Sequence, residues 1–315
     1  MTDTVVIVVS YNTRELTVQA VAAAKKAVVG LDARVVVADN GSSDGTALAV
    51  RAADPEVAVM VNADNPGYGA AINRAADAVP ATYVCAMNAD VVLEPACLGT
   101  LRRFLDANPT CGVAGPSLVY ADGTPQPSAK RFPTLALAVG EVLGVHSVAP
   151  RNRWVRRFYY DDRDLTRDAL VDTVSGAAML LRRAAFDAVG RFDESFWMYF
   201  EETDLCRRLH ARGHSVALCP GAQATHRHGA STRETAVRQV DYYLSYVRYF
   251  RKHHGRGSAA LLRSAVAAGA LARMAALVVK YPPLDRRRAQ SLFAKEAACA
   301  RLLRGLGSGA TVRSA

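Results

Sequence analysis

"VVVADNGSSDGTA", residues 35 to 47, decides the fold. It opens as a β-branched run of the kind that forms a buried strand, then breaks into two glycines, two serines, two aspartates and an asparagine. Similar runs stand at 4 to 9 (TVVIVV), 56 to 61 (EVAVMV) and 82 to 90 (TYVCAMNAD), separated by Ala-rich stretches such as 14 to 28 with helical spacing. That alternation predicts an α/β fold: a Rossmann-like, mostly parallel sheet with helices on both faces. Three of the runs end in polar residues ("SYN", "DNGSSDG", "MNAD"). In open parallel sheets ligands bind outside the carboxyl ends of the strands, so these ends should meet at one crevice.

A nucleotide explains the opening stretch best. Asp39 can accept hydrogen bonds from a base or ribose, Gly41 and Gly45 permit tight turns, and the Ser and Asp residues can cap a helix beginning near Thr46. The same residues would also serve a capped strand-to-helix turn with no ligand. A dinucleotide fingerprint is disfavoured, because "GYGAAI" (67 to 72) does not follow the first strand and carries Ile72 in place of the third glycine.

Beyond about residue 110 the chain becomes turn-rich, with irregular sheet and loop expected. A strand near 173 to 181, a short helix near 183 to 189 and a helix from about 202 to 212 follow, the last with Leu205 and Leu209 as its inner stripe. The division expected is a catalytic domain over 1–233 and a basic helical region over 234–315. In the latter, Tyr242, Tyr246, Tyr249 and Phe250 recur at helical spacing, and Arg256, Arg263, Arg273 and Lys280 fall within about a third of a turn. Two arginines near the middle of that second stretch argue against a membrane span and for an amphipathic basic helix.

Charge is unevenly placed in the 315 residues. Of the net +10, residues 234 to 315 carry 15 Lys/Arg against 4 Asp/Glu, leaving the rest near neutrality. A basic tail suits an anionic membrane surface, and equally a helical hairpin packed on the catalytic domain or plain solvent, while no helix-turn-helix, zinc-finger or RNP-like pattern supports nucleic acid as a partner. Six cysteines without a CxxC pair argue against a zinc knuckle or a disulfide framework, so reduced, mostly buried thiols are expected. The start, "MTDTVVIVVSYN", has neither a basic n-region nor a long apolar run, which predicts a cytoplasmic protein.

Two acidic places carry candidate chemistry. In "MNAD", Asn88 and Asp90 lie two apart on one side of an extended chain, and a carboxylate there could bind Mg2+ or Mn2+ together with a diphosphate. His226 in "ATHRHGAST" is a candidate second ligand, since imidazole with carboxylate suits Mn2+ as well as Mg2+ or better. In "WMYFEETDL", Glu201, Glu202 and Asp204 crowd a helix start behind Trp197, Tyr199 and Phe200. Mutual repulsion and the aromatic flank should raise at least one carboxyl pKa, as a general base for a hydroxyl requires. Ordinary N-terminal helix acids are the plainer reading.

The ordered set "VVSYN", "ADNGSSDG", "NPGYGAAIN", "MNAD", "SGAAMLLRRAAFDAVGRFDESFWMYFEETDL" and "THRHGAST" resembles the inverting glycosyltransferases of family 2, with the GT-A fold, over about residues 4 to 232. Within that family it is similar to bacterial rhamnosyltransferases that extend lipid-linked cell-wall or O-antigen precursors. The resemblance implies that Ser10, Tyr11 and Asn12 line a nucleotide diphosphate and that Asp39 contacts the base. Asn65, Gly67, Gly69 and Asn73 would shape the wall beside the diphosphate and sugar. The family's Asp-x-Asp motif stands here as Asn88-Ala89-Asp90, making Asp90 the chief carboxylate ligand and Asn88 at best an outer partner, with His226 as the distal ligand. The family's Glu-Asp pair stands as Glu201-Glu202, giving Glu202 the base position with Glu201 and Asp204 as rivals.

The expected donor is a dTDP- or UDP-sugar, best dTDP-rhamnose, and the expected acceptor a lipid-linked diphosphate glycan. Lys130 and Arg131 in "PSAKRFP", together with Ser175, Gly176 and Trp197, are the candidate acceptor contacts. The place expected is peripheral, on the inner face of the plasma membrane. The alternatives are a UDP-sugar transferase acting on another acceptor, a nucleotidyltransferase, or an inactive GT-A scaffold.

Overall fold

The computed structural model describes residues 2–145, 149, 152–227, 235–280 and 300–306. Its elements run β1 (Thr2–Ser10), α1 (Arg14–Ala27), β2 (Ala33–Asp39), α2 (Thr46–Ala53), β3 (Ala58–Val61), α3 (Tyr68–Ala78), β4 (Ala81–Asn88), β5 (Val91–Leu93), α4 (Cys97–Ala107) and β6 (Cys111–Val119). There follow β7 (Pro125–Gln126), β8 (Ala129–Lys130), α5 (Leu135–Val142), α6 (Arg153–Phe158), β9 (Ala169–Val171), β10 (Thr173–Val174) and β11 (Ala178–Arg182). Last come α7 (Arg183–Ala188), α8 (Glu201–Ala211), β12 (Ser215–His226) and α9 (Thr235–Lys280). The chain divides into one unit of Met1–Phe132, Arg157–Glu194 and Glu201–Thr232, and a second of Pro133–Arg156, Ser195–Phe200 and Arg233–Ala315.

The first unit is built on one sheet of order β3-β2-β1-β4-β11-β6-β12-β5, with β7 beside β6 and β9 beside β12. From β3 to β4 every ladder is parallel, as the alternating runs predict. Beyond β4 the sheet is mixed: β11 runs antiparallel to β4 and β6, and β12 parallel to β6. Period-two alternation sends Val6, Val8, Val35 and Val37 to one face, under α1 and α4, and Val5, Ile7 and Val36 to the other, under α3, α7 and α8. Both faces are therefore dry, which is why these strands read as unbroken apolar runs. Leu205 and Leu209 of α8 are fully buried, as their spacing implies.

One departure matters for the site. The strand expected over 173 to 181 is interrupted at Ser175-Gly176-Ala177, between β10 and β11. Five of the cysteines are free and buried, and Cys299 lies outside the described residues.

Close approach explains why position 69 is a glycine. A Cβ there would meet Cβ of Phe192 at 2.8 Å, and Phe192 is a core residue whose ring packs edge-on against Tyr68 and Phe186. Gly69→Ala is expected to destabilise the fold by about 1–3 kcal/mol through overpacking, read as a lower urea midpoint at unchanged slope.

The second unit is helical. Thr134 caps α5, its hydroxyl accepting from the Leu137 amide at 3.3 Å. α9 is two helical arms joined at Gly255, whose φ of 84° and ψ of 173° break the helix. Phe200 stacks on Tyr246 at 4.4 Å between centroids, and Tyr249, Phe250, Leu262 and Val266 complete a buried core. Tyr242 donates to Glu141 at 2.8 Å, and Ser245 to the Met198 carbonyl at 2.7 Å. No helix among the described residues is long and apolar enough to cross a membrane. Of the expected basic stripe, Arg256 and Arg263 are exposed, and the Arg273 and Lys280 side chains lie outside the described residues.

Candidate active site

The polar strand ends are knitted together by their own side chains. Asp39, 1% exposed at the end of β2, accepts from the Ser10 hydroxyl at 3.1 Å, from the Ser42 amide at 3.3 Å and, closely, from the Ser42 hydroxyl. Ser42 in turn accepts from the Asn12 amide at 2.8 Å, and the Asn12 carboxamide accepts from the Ser43 amide at 2.8 Å. Asp44 accepts from the Thr46 amide at 3.0 Å, which starts α2 where the sequence places it. Gly41 and Gly45 hold the left-handed angles the turn needs, with φ of 79° and 82°. The Asp39 carboxylate thus organises the turn itself, and the exposed ring beside it is Tyr11, 44% accessible.

Asn40 extends the same network to the Gly67 carbonyl at 3.3 Å and accepts from Asn62 at 3.1 Å. Asn65 has φ of 41° and Gly67 caps α3 with φ of 95°, so this loop turns sharply toward the strand ends. Asn73 faces the other way. Its amide donates to the Phe192 carbonyl and to Glu194, both at 3.0 Å, and its oxygen accepts from the Phe192 amide at 3.2 Å. Asn73 and Gly69 therefore support the wall from behind rather than face the crevice.

At the end of β4, Asp90 and His226 come together, Oδ1 to Nε2 at 3.3 Å. The ladder between β5 and β12, which pairs His226 with Val91, sets that approach. His226 Nδ1 lies 3.0 Å from Gln126 Oε1 on β7. An amide oxygen only accepts, so Nδ1 carries a hydrogen toward Gln126, which leaves Nε2 as the nitrogen turned to the Asp90 carboxylate. An imidazole nitrogen and a carboxylate at that distance could share a divalent cation. Among the described residues no third His, Cys, Asp or Glu joins them, which fits an ion keeping its other positions for water and phosphate oxygens. Asn88 is held through its backbone, its amide donating to the Ala177 carbonyl at 2.9 Å.

The three acids of α8 separate cleanly. Asp204 is wholly buried and pairs with Arg208 at 2.8 Å, so it is a structural charge. Glu201 is buried, and its Oε2 has no hydrogen-bond partner among the described residues. Burial, then the neighbouring Glu202 and Asp204 charges, push its carboxyl well above the ordinary range. Glu202 is half-buried and accepts from the Thr203 hydroxyl at 3.1 Å. The rise expected in at least one of the three acids is thus found at Glu201, with burial ahead of mutual repulsion.

Gly176 meets Glu202: a Cβ there would stand 3.3 Å from Glu202 Cβ. Its carbonyl accepts from the Tyr68 hydroxyl at 2.7 Å, and burial together with the Glu201, Glu202 and Asp90 carboxylates raises the Tyr68 phenol well above its usual value. Tyr68 therefore sits within the fields of the metal-corner carboxylate and of the helix acids at once. Ser175 is held beside it, its amide donating to the Ser128 carbonyl at 2.9 Å.

Arg131 is committed within the fold. It pairs with Asp162 at 2.7 Å, donates to the Arg157 carbonyl and lies 4.2 Å over the Tyr160 ring. Lys130 pairs through its backbone with Thr173 and is half-buried. Trp197 is half-buried in the helical unit. Tyr68 and Gln126 are the site residues that sequence reasoning passed over. Tyr68 lies inside "NPGYGAAIN", where a helix-start tyrosine reads as core, and a lone Gln126 in a turn-rich run gives no pattern.

A parallel-to-mixed sheet with a carboxylate and an imidazole at one strand end and acids at a nearby helix start is the architecture of nucleotide-sugar transferases of the GT-A type. The chain matches the model for glycosyl transferase family 2 over residues 5–190, and it belongs to that family. It is 34% identical over 241 residues to an N-acetylglucosaminyl-diphospho-decaprenol L-rhamnosyltransferase of Mycobacterium tuberculosis, covering 70% of this chain and 76% of that one. It is 29% identical over 223 residues to the O-antigen biosynthesis protein RfbC of Myxococcus xanthus, covering 68% of this chain and 16% of that protein.

Among solved structures, the mannosyltransferase PcManGT from Pyrobaculum calidifontis, in complex with GDP-Man and Mn2+, superposes with a TM-score of 0.58 at 17% identity, over 98% of this chain and 90% of that one. GalNAc-T7 with UDP, GalNAc and Mn2+ gives 0.53 at 14% identity, over 80% and 48%. The fold is GT-A.

Proposed function

We propose that the chain transfers L-rhamnose from dTDP-rhamnose to a hydroxyl of a lipid-linked, diphosphate-bearing glycan precursor, with inversion. The observation that carries the proposal is the gathering of Asp90, His226 and Glu202 about Tyr68 and Gly176 in one unit. The rhamnosyl group and the lipid-linked acceptor are supported by the 34% identical relative.

In this reading, Tyr11 stacks on the base, and the strand-end turn held by Asp39 frames the nucleotide. Asp90 and His226 hold a divalent cation, with Mn2+ present in both structural neighbours. That ion would neutralise charge on the departing diphosphate. Glu202 takes the proton of the acceptor hydroxyl as the new bond from its oxygen to the anomeric carbon forms and the bond from that carbon to the diphosphate oxygen breaks. Glu201, pushed toward its neutral form by burial, lessens the negative charge beside Glu202. The basic C-terminal region would hold the enzyme at an anionic membrane surface, where such acceptors reside.

A thermal-shift screen of dTDP-rhamnose, UDP-sugars and GDP-sugars with Mn2+ tests the donor, since a ligand at a hundred times its Kd stabilises by about 2.7 kcal/mol. The largest shift is expected for dTDP-rhamnose, followed by rhamnosyl transfer to a synthetic lipid diphosphate bearing N-acetylglucosamine. A larger shift with a UDP-sugar, or binding without transfer, overturns this assignment.

A further inference from the structure

The helical unit contains a cavity of about 780 Å3 at the Gly255 corner of α9. Arg248, Arg251 and Lys252 line it from the arm before the corner, and Arg256 and Arg263 from the arm after. No carboxylate is among the described lining residues. Leu244, Val247, Ala259, Ala260 and Leu306 give it an apolar wall.

Five cations face one space. In the first unit arginines are matched to carboxylates: Arg74 to Asp64, Arg183 to Asp187, Arg191 to Asp77, Arg208 to Asp204. Arg251, Arg256 and Arg263 are exposed and have no ion pair among the described residues. Arg248 donates to the Ser195 carbonyl, and Lys252 lies 5.8 Å over the Phe196 ring, so both heads are aimed rather than loose. Such a set matches a multiply charged anion with oxygen acceptors in a fork, and guanidinium pairs with phosphate in that way.

Size and lining narrow the ligand. Small-molecule sites run to about 300–1,000 Å3, so this cavity admits a phosphate or diphosphate together with the first part of a hydrocarbon chain. The apolar wall would suit that chain.

We propose that this cavity binds the phosphate or diphosphate headgroup of a lipid. The proposal sharpens the membrane reading above, replacing diffuse attraction by a defined site.

The test is co-sedimentation of the full chain, in EDTA at physiological salt, with phosphatidylcholine vesicles lacking or containing phosphatidic acid. Three arginines near an anionic surface together supply about a hundredfold in affinity, so the triple variant Arg251→Ala, Arg256→Ala, Arg263→Ala should lose about that much on the phosphatidic acid vesicles. A control of equal charge, Arg34→Ala, Arg51→Ala, Arg103→Ala in exposed positions of the first unit, none of them lining the cavity, should bind within about twofold of wild type. Equal losses in both variants, or none in the first, would overturn the cavity site while leaving surface attraction in place. Absence of wild-type binding to either vesicle would overturn both. Inorganic pyrophosphate should compete poorly, lacking hydrocarbon; displacement at the concentration of the lipid phosphate would show that the site takes a free phosphate compound and overturn the lipid assignment.

Discussion

Glu202→Gln is expected to bind the nucleotide-sugar as the unaltered enzyme does and to lose transfer by about a thousandfold, within the range a general base contributes. The amide keeps the shape of the side chain and its place against Gly176, so kcat should fall with little change in donor affinity. Single-turnover transfer and donor calorimetry on one preparation separate the two. Near-normal turnover would remove Glu202 from the base position.

The neighbouring acids give a contrast that a general loss of packing would not. Glu201→Gln replaces a buried carboxyl already biased toward its neutral form by an isosteric neutral group, so transfer should change by less than about tenfold, far short of the loss a general base gives. Its effect belongs to stability. The folded-state pKa is raised, so the native state holds the proton where the unfolded chain has lost it, and wild-type stability falls as pH rises from about 4.5 through the folded value. Glu201→Gln removes that slope: near pH 4 the two proteins should unfold alike, and toward neutrality the variant should be the more stable. Denaturant titrations at several pH values check the sign. Asp204, by contrast, is held by Arg208, and its removal should unfold rather than slow the enzyme.

Why some of this was legible follows from the range of the forces involved. Strand and helix periodicity is local, and it marked β1, β2, β3, β4, α1 and the start of α2 within a few residues. The polar turn at 39 to 46 was readable because Gly41, Asp44 and Thr46 act on each other across a few bonds. The insertion of β11 antiparallel between β4 and β6 was not, since ladder direction depends on where distant strands arrive. Gly176 shows the same limit. A continuous strand is the sound local reading of "VDTVSGAAMLL", yet the chain breaks there, and Gly176 stands against the side chain of Glu202, 26 positions later. The acids at 201, 202 and 204 were visible as a group, but telling apart the buried Glu201, the half-buried Glu202 and the ion-paired Asp204 needed the packing around α8 and the reach of Arg208.

The metal corner makes the other large prediction. Asp90→Asn preserves the volume of the side chain but withdraws the only carboxylate that faces His226 Nε2 among the described residues. An imidazole alone holds Mn2+ or Mg2+ poorly, because hard cations bind through anionic oxygen. Calorimetry of dTDP with Mn2+ should therefore show metal-dependent binding abolished in this variant, while binding in EDTA matches that of wild type. Gln126→Ala should weaken Mn2+ affinity by about 10–100-fold without abolishing it, since Gln126 touches the ligand and not the ion, fixing which His226 nitrogen turns to the ion. That order, carboxylate above orienting amide, is what a real coordination site produces. A structural hydrogen bond from a protonated His226 to Asp90 would instead lower thermal stability in both variants and leave the metal titration unmoved.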